Sequence, residues 1–274
     1  MFEKILENVQ KNPPLVHSIT NYVTVNDCAN IILACGGSPI MADDLSEVAE
    51  ITTICNSLVI NIGTLNERTI QSMIIAGKRA NALNHPVILD PVGAGASTLR
   101  TGTVEKLLKE VKFAVIRGNI SEIKTVYQGS GTTQGVDADV NDAVTEKNIH
   151  EVIAFAKALS AQTGAVIAIT GATDIVANSE GAYILKNGHP LMSKITGTGC
   201  MLTTVIGSYC GANADAIFEA TAAAVSVMGL CGELAHAKLE NVNGGISTYR
   251  TFLIDCMSQM NANILNGGLK IERA

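Results

Sequence analysis

Short apolar segments rich in β-branched residues alternate, along the first two thirds of the chain, with segments whose apolar residues recur at helical spacing. Four of the apolar segments carry no charge and end at a polar or glycine-rich turn, which is typical of buried strands in a parallel sheet. They lie at residues 57–62, 87–89, 113–116 and 165–169. Residues 175–177 and 182–185 flank a polar turn and predict an antiparallel hairpin at an edge of the sheet.

Amphipathic helices are predicted between these strands. Val25, Cys28 and Ile32 share one helix face, and Gly36 with Gly37 marks its end. After residue 198 the pattern is helical throughout, over residues 199–211, 214–237 and 247–265. Alternating strands and helices followed by a helical C-terminal third predict a three-layer α/β/α sandwich around a mostly parallel sheet. We expect one domain over residues 1–274.

Composition narrows the class of protein. Charged residues make up 16% of the 274 residues and hydrophobic ones 47%, which excludes disorder. The formal net charge is −6 (19 − 25), which argues against a nucleic-acid-binding surface. The seven cysteines contain no C-x-x-C pair, so they fit neither a zinc knuckle nor a disulfide framework. We therefore expect reduced thiols in a cytoplasmic protein.

Two apolar segments bear on targeting and membrane insertion. Residues 1–14 place acidic side chains between apolar ones at helical spacing, unlike the continuous apolar core of a signal peptide. Residues 195–214 carry no charge and are long enough to span a bilayer. Their glycines and threonines favour a buried helix instead, so the sequence predicts a soluble protein without a membrane partner.

The strongest chemical motif is ITGTGC, residues 195–200, which enters the long uncharged helix. Gly197 and Gly199 free the backbone to direct N–H groups at an anion, and the helix start adds partial positive charge. Thr196 and Thr198 add hydroxyl donors, which favours a phosphate site over the alternative of a glycine turn that only packs the helix on the sheet.

Cys200 lies in the first turn of this helix, where the positive end of the helix dipole favours thiolate over thiol. A partly ionised thiol could accept a proton from a substrate hydroxyl that attacks a phosphoryl group. The alternative, a small buried residue like the other six cysteines, is equally compatible with the sequence.

Polar residues follow three of the predicted strands, where ligands bind in such sheets. Asp90 and Glu122 are oxygen ligands suited to a hydrated Mg²⁺. Arg117 can hold phosphate oxygens through its planar fork, and Thr170 offers a hydroxyl to an ATP phosphate. For Asp90 the competing role is a helix cap, and for Arg117 a surface ion pair with Glu122. Thr170 alone fits a simple tight turn equally well.

Residues 17–22 and 36–41 are polar or glycine-rich stretches that lead into helix and strand elements. Asn21 could orient a small heterocycle, and the polarizable Met41 suits an apolar or sulfur-containing ring. A lone methionine is more often simply part of the core.

Together these motifs resemble those of the hydroxyethylthiazole kinases, thiamine-salvage enzymes of the ribokinase-like superfamily. The resemblance covers nearly the whole chain. It is carried by HSITNYVTVNDCAN from His17, GGSPIMA from Gly36, NIGTL ending at Leu65, HPVILDPVGAGAS from His85, VIRGNISEI from Val115, ITGTGCM from Ile195 and GGISTYRTFLID from Gly244.

The resemblance implies phosphorylation of the hydroxyethyl group of a methylthiazole by ATP with Mg²⁺. It assigns the following positions by motif: Asn21, Met41 and Gly197 to the substrate, Arg117 and Thr170 to ATP, Asp90 and Glu122 to the metal. It also implies a homotrimer with active sites between subunits.

Cys200 departs from the wider superfamily, in which the corresponding position usually holds an aspartate that acts as the base. Cysteine at this position is familiar among the thiazole kinases, so the departure affects only the base assignment. Three other activities remain open at this point: a kinase for the pyrimidine half of thiamine, an ATP-dependent hydro-lyase, and a ligand-binding protein without turnover.

Overall fold

One nine-stranded sheet, built mostly from buried β-branched segments, lies at the centre of the molecule. The computed structural model describes residues 1–128 and 144–274. The strands are β1 Leu15–Ile19, β2 Ser38–Ile40, β3 Ser57–Asn61, β4 Val87–Asp90, β5 Val115–Gly118, β6 Val166–Ile169, β7 Asp174–Ala177, β8 Ala182–Leu185 and β9 Ile271–Arg273. Their order is β2-β1-β3-β4-β5-β6-β7-β8-β9, parallel from β2 to β6 and antiparallel beyond.

Helices cover both faces of this sheet. In the described residues they are α1 Phe2–Lys11, α2 Val25–Cys35, α3 Val48–Ile54, α4 Glu67–Ala82, α5 Thr98–Glu110, α6 Ile120–Gln128, α7 Ile149–Thr163, α8 Thr198–Ala212, α9 Ile217–Leu239, α10 Ile246–Ser258 and α11 Ala262–Gly268. Alternate strand residues enter two separate cores: Val59 packs with α1, α2 and α8–α11, whereas Leu58 and Ile60 pack with α3–α7. The predicted three-layer sandwich is confirmed.

The four predicted parallel strands are present, with one shift. The strand predicted at residues 113–116 begins at Val115 and continues through Arg117, which pairs with Ala168. Sheet pairing uses the backbone, so a charged side chain at a strand end does not terminate it. The hairpin of β7 and β8 is also confirmed, but it is not the edge of the sheet, because β9 pairs with β8.

The helical C-terminal third is confirmed with one break. The helix predicted over residues 247–265 is two helices, and the side chain of Asn261 caps the second by accepting from the N–H of Ile264. The segment at residues 195–214 forms a buried helix, as predicted, since Cys200 to Cys210 are all buried within α8. Helix α9 is apolar and long enough to cross a membrane, yet 78% of its apolar window is buried inside the fold.

A glycine lets α8 lie unusually close to the sheet. A methyl group built on Gly207 would lie 2.5 Å from Cγ2 of Val59 in β3, nearer than real contacts allow. Close packing at this point sets the height of α8 over the sheet, and with it the position of its first turn at the carboxyl end of β3.

Gly207→Ala is therefore expected to lower the free energy of unfolding by about 1–3 kcal/mol, because the methyl forces α8 away from β3. Gly102→Ala is the matched control: a methyl there meets nothing within 4 Å, and loss of a helical glycine should raise stability by up to about 1 kcal/mol. Urea unfolding of both variants measures the difference, and equal effects would contradict the close packing.

Candidate active site

A buried carboxylate, Asp90 at the end of β4, lies at the centre of the site. Its Oδ2 accepts hydrogen bonds from Nδ2 of Asn61 at 2.7 Å and from Oγ1 of Thr203 at 2.8 Å. Its Oδ1 lies 3.7 Å from Nη1 of Arg117 and has no hydrogen-bond partner. Burial raises the pKa of Asp90 more strongly than the Arg117 charge and the two donors lower it. Strands β3, β4 and β5 and helix α8 therefore meet at one carboxyl group.

Arg117 joins this carboxylate to the start of α8 and to the end of β6. Its Nη2 donates to Oγ1 of Thr170 at 2.5 Å, and only 12% of its side chain is exposed. A methyl group on Gly199 would lie 2.6 Å from Nη1 of Arg117. Because Gly199 has no side chain, the Arg117 guanidinium has room beside the start of α8. In this position its planar N–H groups can bind phosphate oxygens.

Glu122 is buried at the start of α6, so the alternative of a surface ion pair with Arg117 is wrong. It forms a capping box at the start of α6: its Oε2 accepts from the N–H of Asn119, and Oδ1 of Asn119 accepts from the N–H of Glu122. Its Oε1 accepts from the N–H of Gly93 at 2.8 Å. Burial, and then the negative charge of Asp90, raise the pKa of Glu122 to about 7. Arg117 forms its ion pair with Asp90 and not with Glu122 at the surface.

Asp90 and Glu122 are carboxylates of the kind that hold Mg²⁺. Within residues 1–128 and 144–274, no cluster of three or more His, Cys, Asp or Glu side chains could hold a metal ion. Mg²⁺, however, is usually held by one or two carboxylates together with water and substrate phosphates. Oδ1 of Asp90 has no hydrogen-bond partner, and the charges of Asp90 and Glu122 repel each other. Both features are compatible with a cation that binds together with a nucleotide.

Cys200 is buried at the first turn of α8, and its sulfur accepts two amide N–H groups. Nδ2 of Asn21 and Nδ2 of Asn61 each lie 3.3 Å from Sγ. The expectation of a partly ionised thiol is wrong in direction: burial first, and then the charge of Asp90, raise the pKa of Cys200. The side chains of Thr24, Asn21 and Asn61 lower it by less, so desolvation outweighs the groups that favour the thiolate.

The turn before α8 depends on a glycine. Gly197 is the N-cap residue with φ +85°, a left-handed conformation that favours glycine, and an added methyl would lie inside contact distance of Thr24. The first N–H groups of α8 have no acceptor within the helix. Thr196 is exposed at this turn, whereas the hydroxyl of Thr198 donates to the carbonyl of Met192 at 3.1 Å. The Thr198 hydroxyl is thus engaged by the protein itself.

Two of the three predicted substrate residues, Asn21 and Met41, lie at the same edge of the sheet but in different surroundings. Asn21 is only 4% exposed; its Nδ2 bonds to Asn61 and Cys200. Met41 is half-buried in the loop after β2. The next residue of that loop, Ala42, accepts a hydrogen bond through its carbonyl from Nε2 of the buried His17 at 2.8 Å. The described contacts bring Asn21, but not Met41, into the Cys200 cluster.

Three residues of the site were not predicted. Asn61 ends an apolar strand as Asp90 does, and this pattern is the signal that could have identified Asn61. The two residues are register partners in β3 and β4. Thr203 lies one turn after Cys200 in an apolar helix. Arg100 holds the loops after β3 and β4 together by donating to the carbonyls of Ile62, Val92 and Gly63.

Comparison with known proteins gives a consistent result. Residues 6–263 match the model of the hydroxyethylthiazole kinase family. A hydroxyethylthiazole kinase from Clostridium acetobutylicum is 60% identical over 272 residues, which is 99% of either chain. The solved structure of a hydroxyethylthiazole kinase from Pyrococcus horikoshii superposes with a TM-score of 0.87 at 30% identity, covering 100% of this chain and 98% of the other.

A more distant solved structure supports the fold alone. A ribokinase-like superfamily protein from Enterococcus faecalis superposes with a TM-score of 0.61 at 12% identity, with 94% of either chain covered. The predicted ribokinase-like architecture is confirmed.

Asp174, at the start of β7, is a third carboxylate, after Asp90 and Glu122, that the charge of Arg117 acts on. Its Oδ1 accepts from the N–H of Gly171 at 2.8 Å, and this bond closes the turn that follows Thr170. Burial raises the pKa of Asp174 to about 7, against the smaller lowering effects of that bond and of Arg117. Between pH 4 and pH 7 the folded state therefore binds more protons than the unfolded state, and stability falls as pH rises through this window.

Asp174→Asn is expected to remove part of this pH dependence, because the amide oxygen still accepts from Gly171 but carries no charge. At pH 8 the variant should be more stable than the wild type by about 2 kcal/mol, with a smaller difference at pH 5. Urea unfolding at both pH values measures this. The exposed Asp215→Asn serves as the control, and an unchanged pH profile in Asp174→Asn would contradict the assignment.

Proposed function

The chain belongs to the hydroxyethylthiazole kinase family, and on this basis we propose that it transfers a phosphoryl group from ATP to the hydroxyl of hydroxyethylthiazole, forming the phosphate ester in thiamine salvage. The observation that carries the proposal is the convergence on Asp90. Asp90 is connected through Asn61 to Cys200, which faces the alcohol in this proposal. Asp90 also pairs with Arg117, which faces the phosphates.

The phosphate end of the site is built from α8 and two strand ends. The N–H groups of the first turn of α8, with Gly199, receive the γ-phosphoryl group, and the exposed Thr196 adds a hydroxyl. Arg117 and Thr170 hold ATP oxygens, with the guanidinium offsetting the charge that develops during transfer. Thr198 contributes through its backbone, and through its hydroxyl when the bond to Met192 is exchanged for a phosphate oxygen.

Asp90 and Glu122 would hold Mg²⁺ in this proposal, supported by the unpartnered Oδ1 of Asp90. The ion supplies Lewis-acid neutralisation of phosphate charge when bound. Apart from the ion, Asp90 fixes Arg117 and Asn61, and Glu122 fixes Gly93 and the start of α6.

Cys200 receives the hydroxyl proton of the substrate as the alcohol oxygen attacks phosphorus. Its raised pKa makes a thiolate scarce, so the sulfur contributes modestly. This is sufficient because phosphoryl transfer depends mainly on positioning and charge neutralisation. Gly197 provides a side-chain-free approach to the substrate, Asn21 orients it together with Cys200, and Met41 contacts the thiazole ring.

The proposal extends to assembly, location and domain structure. We expect one kinase domain over residues 1–274 that forms a cytoplasmic homotrimer with active sites between subunits. The exposed side chains of Tyr22 and Val23, 79% and 58% accessible beside Asn21, support a subunit interface at the site.

The direct test is a Mg²⁺-ATP assay that follows formation of the phosphate ester by ³¹P NMR. Hydroxyethylthiazole should be phosphorylated in preference to the hydroxymethylpyrimidine half of thiamine. Preference for the pyrimidine would overturn the substrate assignment. Release of ADP without ester would indicate a hydro-lyase, and binding without turnover a non-catalytic protein.

Variants at position 200 test the role of the thiol. Cys200→Ala should lower kcat by about 10- to 100-fold, at the low end for loss of a general base, with ATP affinity changed less than about twofold. Cys200→Asp should keep or raise kcat, because the amides of Asn21 and Asn61 can donate to a carboxylate equally well. Full activity of Cys200→Ala would remove the thiol from catalysis, and complete loss of activity in a folded Cys200→Asp would count against a general-base role at this position.

A further inference from the structure

The side chain of Asn61 uses its entire hydrogen-bonding capacity on the groups of the site. Its Nδ2 donates to Oδ2 of Asp90 at 2.7 Å and to Sγ of Cys200 at 3.3 Å. Its Oδ1 accepts from Nδ2 of Asn21 at 3.0 Å and from the N–H of Gly63 at 2.9 Å. An amide has two N–H donors and two acceptor lone pairs, so every one is used, and its orientation is fixed.

Asn21 is held in the same way. Its Oδ1 accepts from the N–H and the hydroxyl of Thr24, both at 3.1 Å, which leaves its two N–H donors for Asn61 and Cys200. Neither amide has an acceptor left for the thiol proton of Cys200. The sulfur is therefore held as an acceptor between two fixed donors, which we call the amide pair (Asn21 and Asn61).

The backbone is shaped to accommodate the amide pair. A methyl group on Gly63 would lie 2.8 Å from Nδ2 of Asn21 and 2.9 Å from Oδ1 of Asn61, so only glycine leaves room there. Asn61 is also the register partner of Asp90 across β3 and β4, which fixes their separation through the sheet itself. The link between Asp90 and Cys200 is thus rigid from backbone to side chain.

We propose that Asn61 is a positioning residue for phosphoryl transfer, whose single amide holds the sulfur of Cys200 at a fixed place relative to the carboxylate of Asp90. The inference rests on the proposed kinase function. Asn61 contributes through Cys200: it sets where the proton-accepting atom lies relative to the phosphate-binding side of the site. Displacing a reacting group by about 1 Å can cost about 100-fold in rate.

Thr203 provides a matched control for this role. It donates to the same Oδ2 of Asp90 as Asn61 does, at 2.8 Å, and it is equally buried. Asn21 and Asn61, and not Thr203, donate to the sulfur of Cys200. Thr203→Val therefore removes one bond to Asp90 and leaves the amide pair complete.

The test compares Asn61→Leu, which removes all four bonds at similar volume, with Asn61→Ser, which keeps a polar group, and with Thr203→Val. For both Asn61 variants kcat should fall about 10- to 100-fold while KM for ATP stays within about twofold. The loss in Thr203→Val should be at least fivefold smaller. Circular dichroism and thermal unfolding identify the variants that fold. Losses in Thr203→Val as large as those in the folded Asn61 variant would overturn the proposal.

A double-mutant cycle tests whether Asn61 acts through Cys200. In a Cys200→Ala background, Asn61→Ser should change kcat less than about threefold, because the atom it positions is gone. A loss as large as in the wild-type background would assign Asn61 a structural role only. A wild-type enzyme that forms no phosphate ester would instead refute the proposed function, so the two failures are distinguishable.

A readout independent of turnover is the rate at which iodoacetamide labels Cys200 in the nucleotide-free protein, followed by mass spectrometry of its peptide. Alkylation requires the thiolate, which loses one of its two amide donors in Asn61→Leu and Asn61→Ser. The rate should fall at least threefold in these variants and stay unchanged in Thr203→Val. A rate equal to or above that of the wild type in the Asn61 variants would overturn the proposal.

Discussion

The burial of the Asp90 carboxylate is the constraint on which the rest of the site depends. A charge without water must be paired, and removing a partner of a buried charge costs about 3–5 kcal/mol. Its partners come from three different elements: Asn61 from β3, Arg117 from β5 and Thr203 from α8. These elements cannot shift independently without exposing an unpaired charge. The interaction that neutralises Asp90 therefore also places Cys200 and the start of α8 at the carboxyl edge of the sheet.

The same constraint sets the chemistry of Cys200. The start of a helix favours a thiolate, but burial and the neighbouring Asp90 raise the pKa of the thiol, and the amide pair only partly opposes them. The sulfur is therefore a weakly basic atom in a well-defined place. This suits a reaction in which geometry and charge neutralisation supply most of the acceleration. The structure therefore fixes the position of the Cys200 sulfur but does not make it a strong base.

Whether a strand could be predicted from the sequence depended on how its buried positions are occupied. Strands β3, β4, β5 and β6 were predicted because both faces of each are largely buried, which leaves an uninterrupted apolar segment. Strand β1 was not predicted as a strand, since it carries His17 and Ser18 in fully buried positions. The ring of His17 is accommodated by Thr52 and the Ala42 carbonyl, partners that come from other elements. Strand β9 is polar and was not predicted either, because its place in the sheet depends on pairing with β8.

Sequence by itself determined the fold class, the family and the types of chemical group at the strand ends: two carboxylates, a guanidinium, and a glycine-rich helix start that ends in a cysteine. The motifs that carry the family resemblance and the groups at the strand ends are local features, so the sequence shows them directly. Tertiary structure alone decided that Asn61, 139 residues from Cys200 in sequence, donates to its sulfur, that Glu122 caps α6, and that the half-buried Asp174 has a raised pKa. Hydrogen-bond partners and desolvation depend on which distant segments meet in space, and this is why the pKa direction of Cys200 could not be read from its place in a helix.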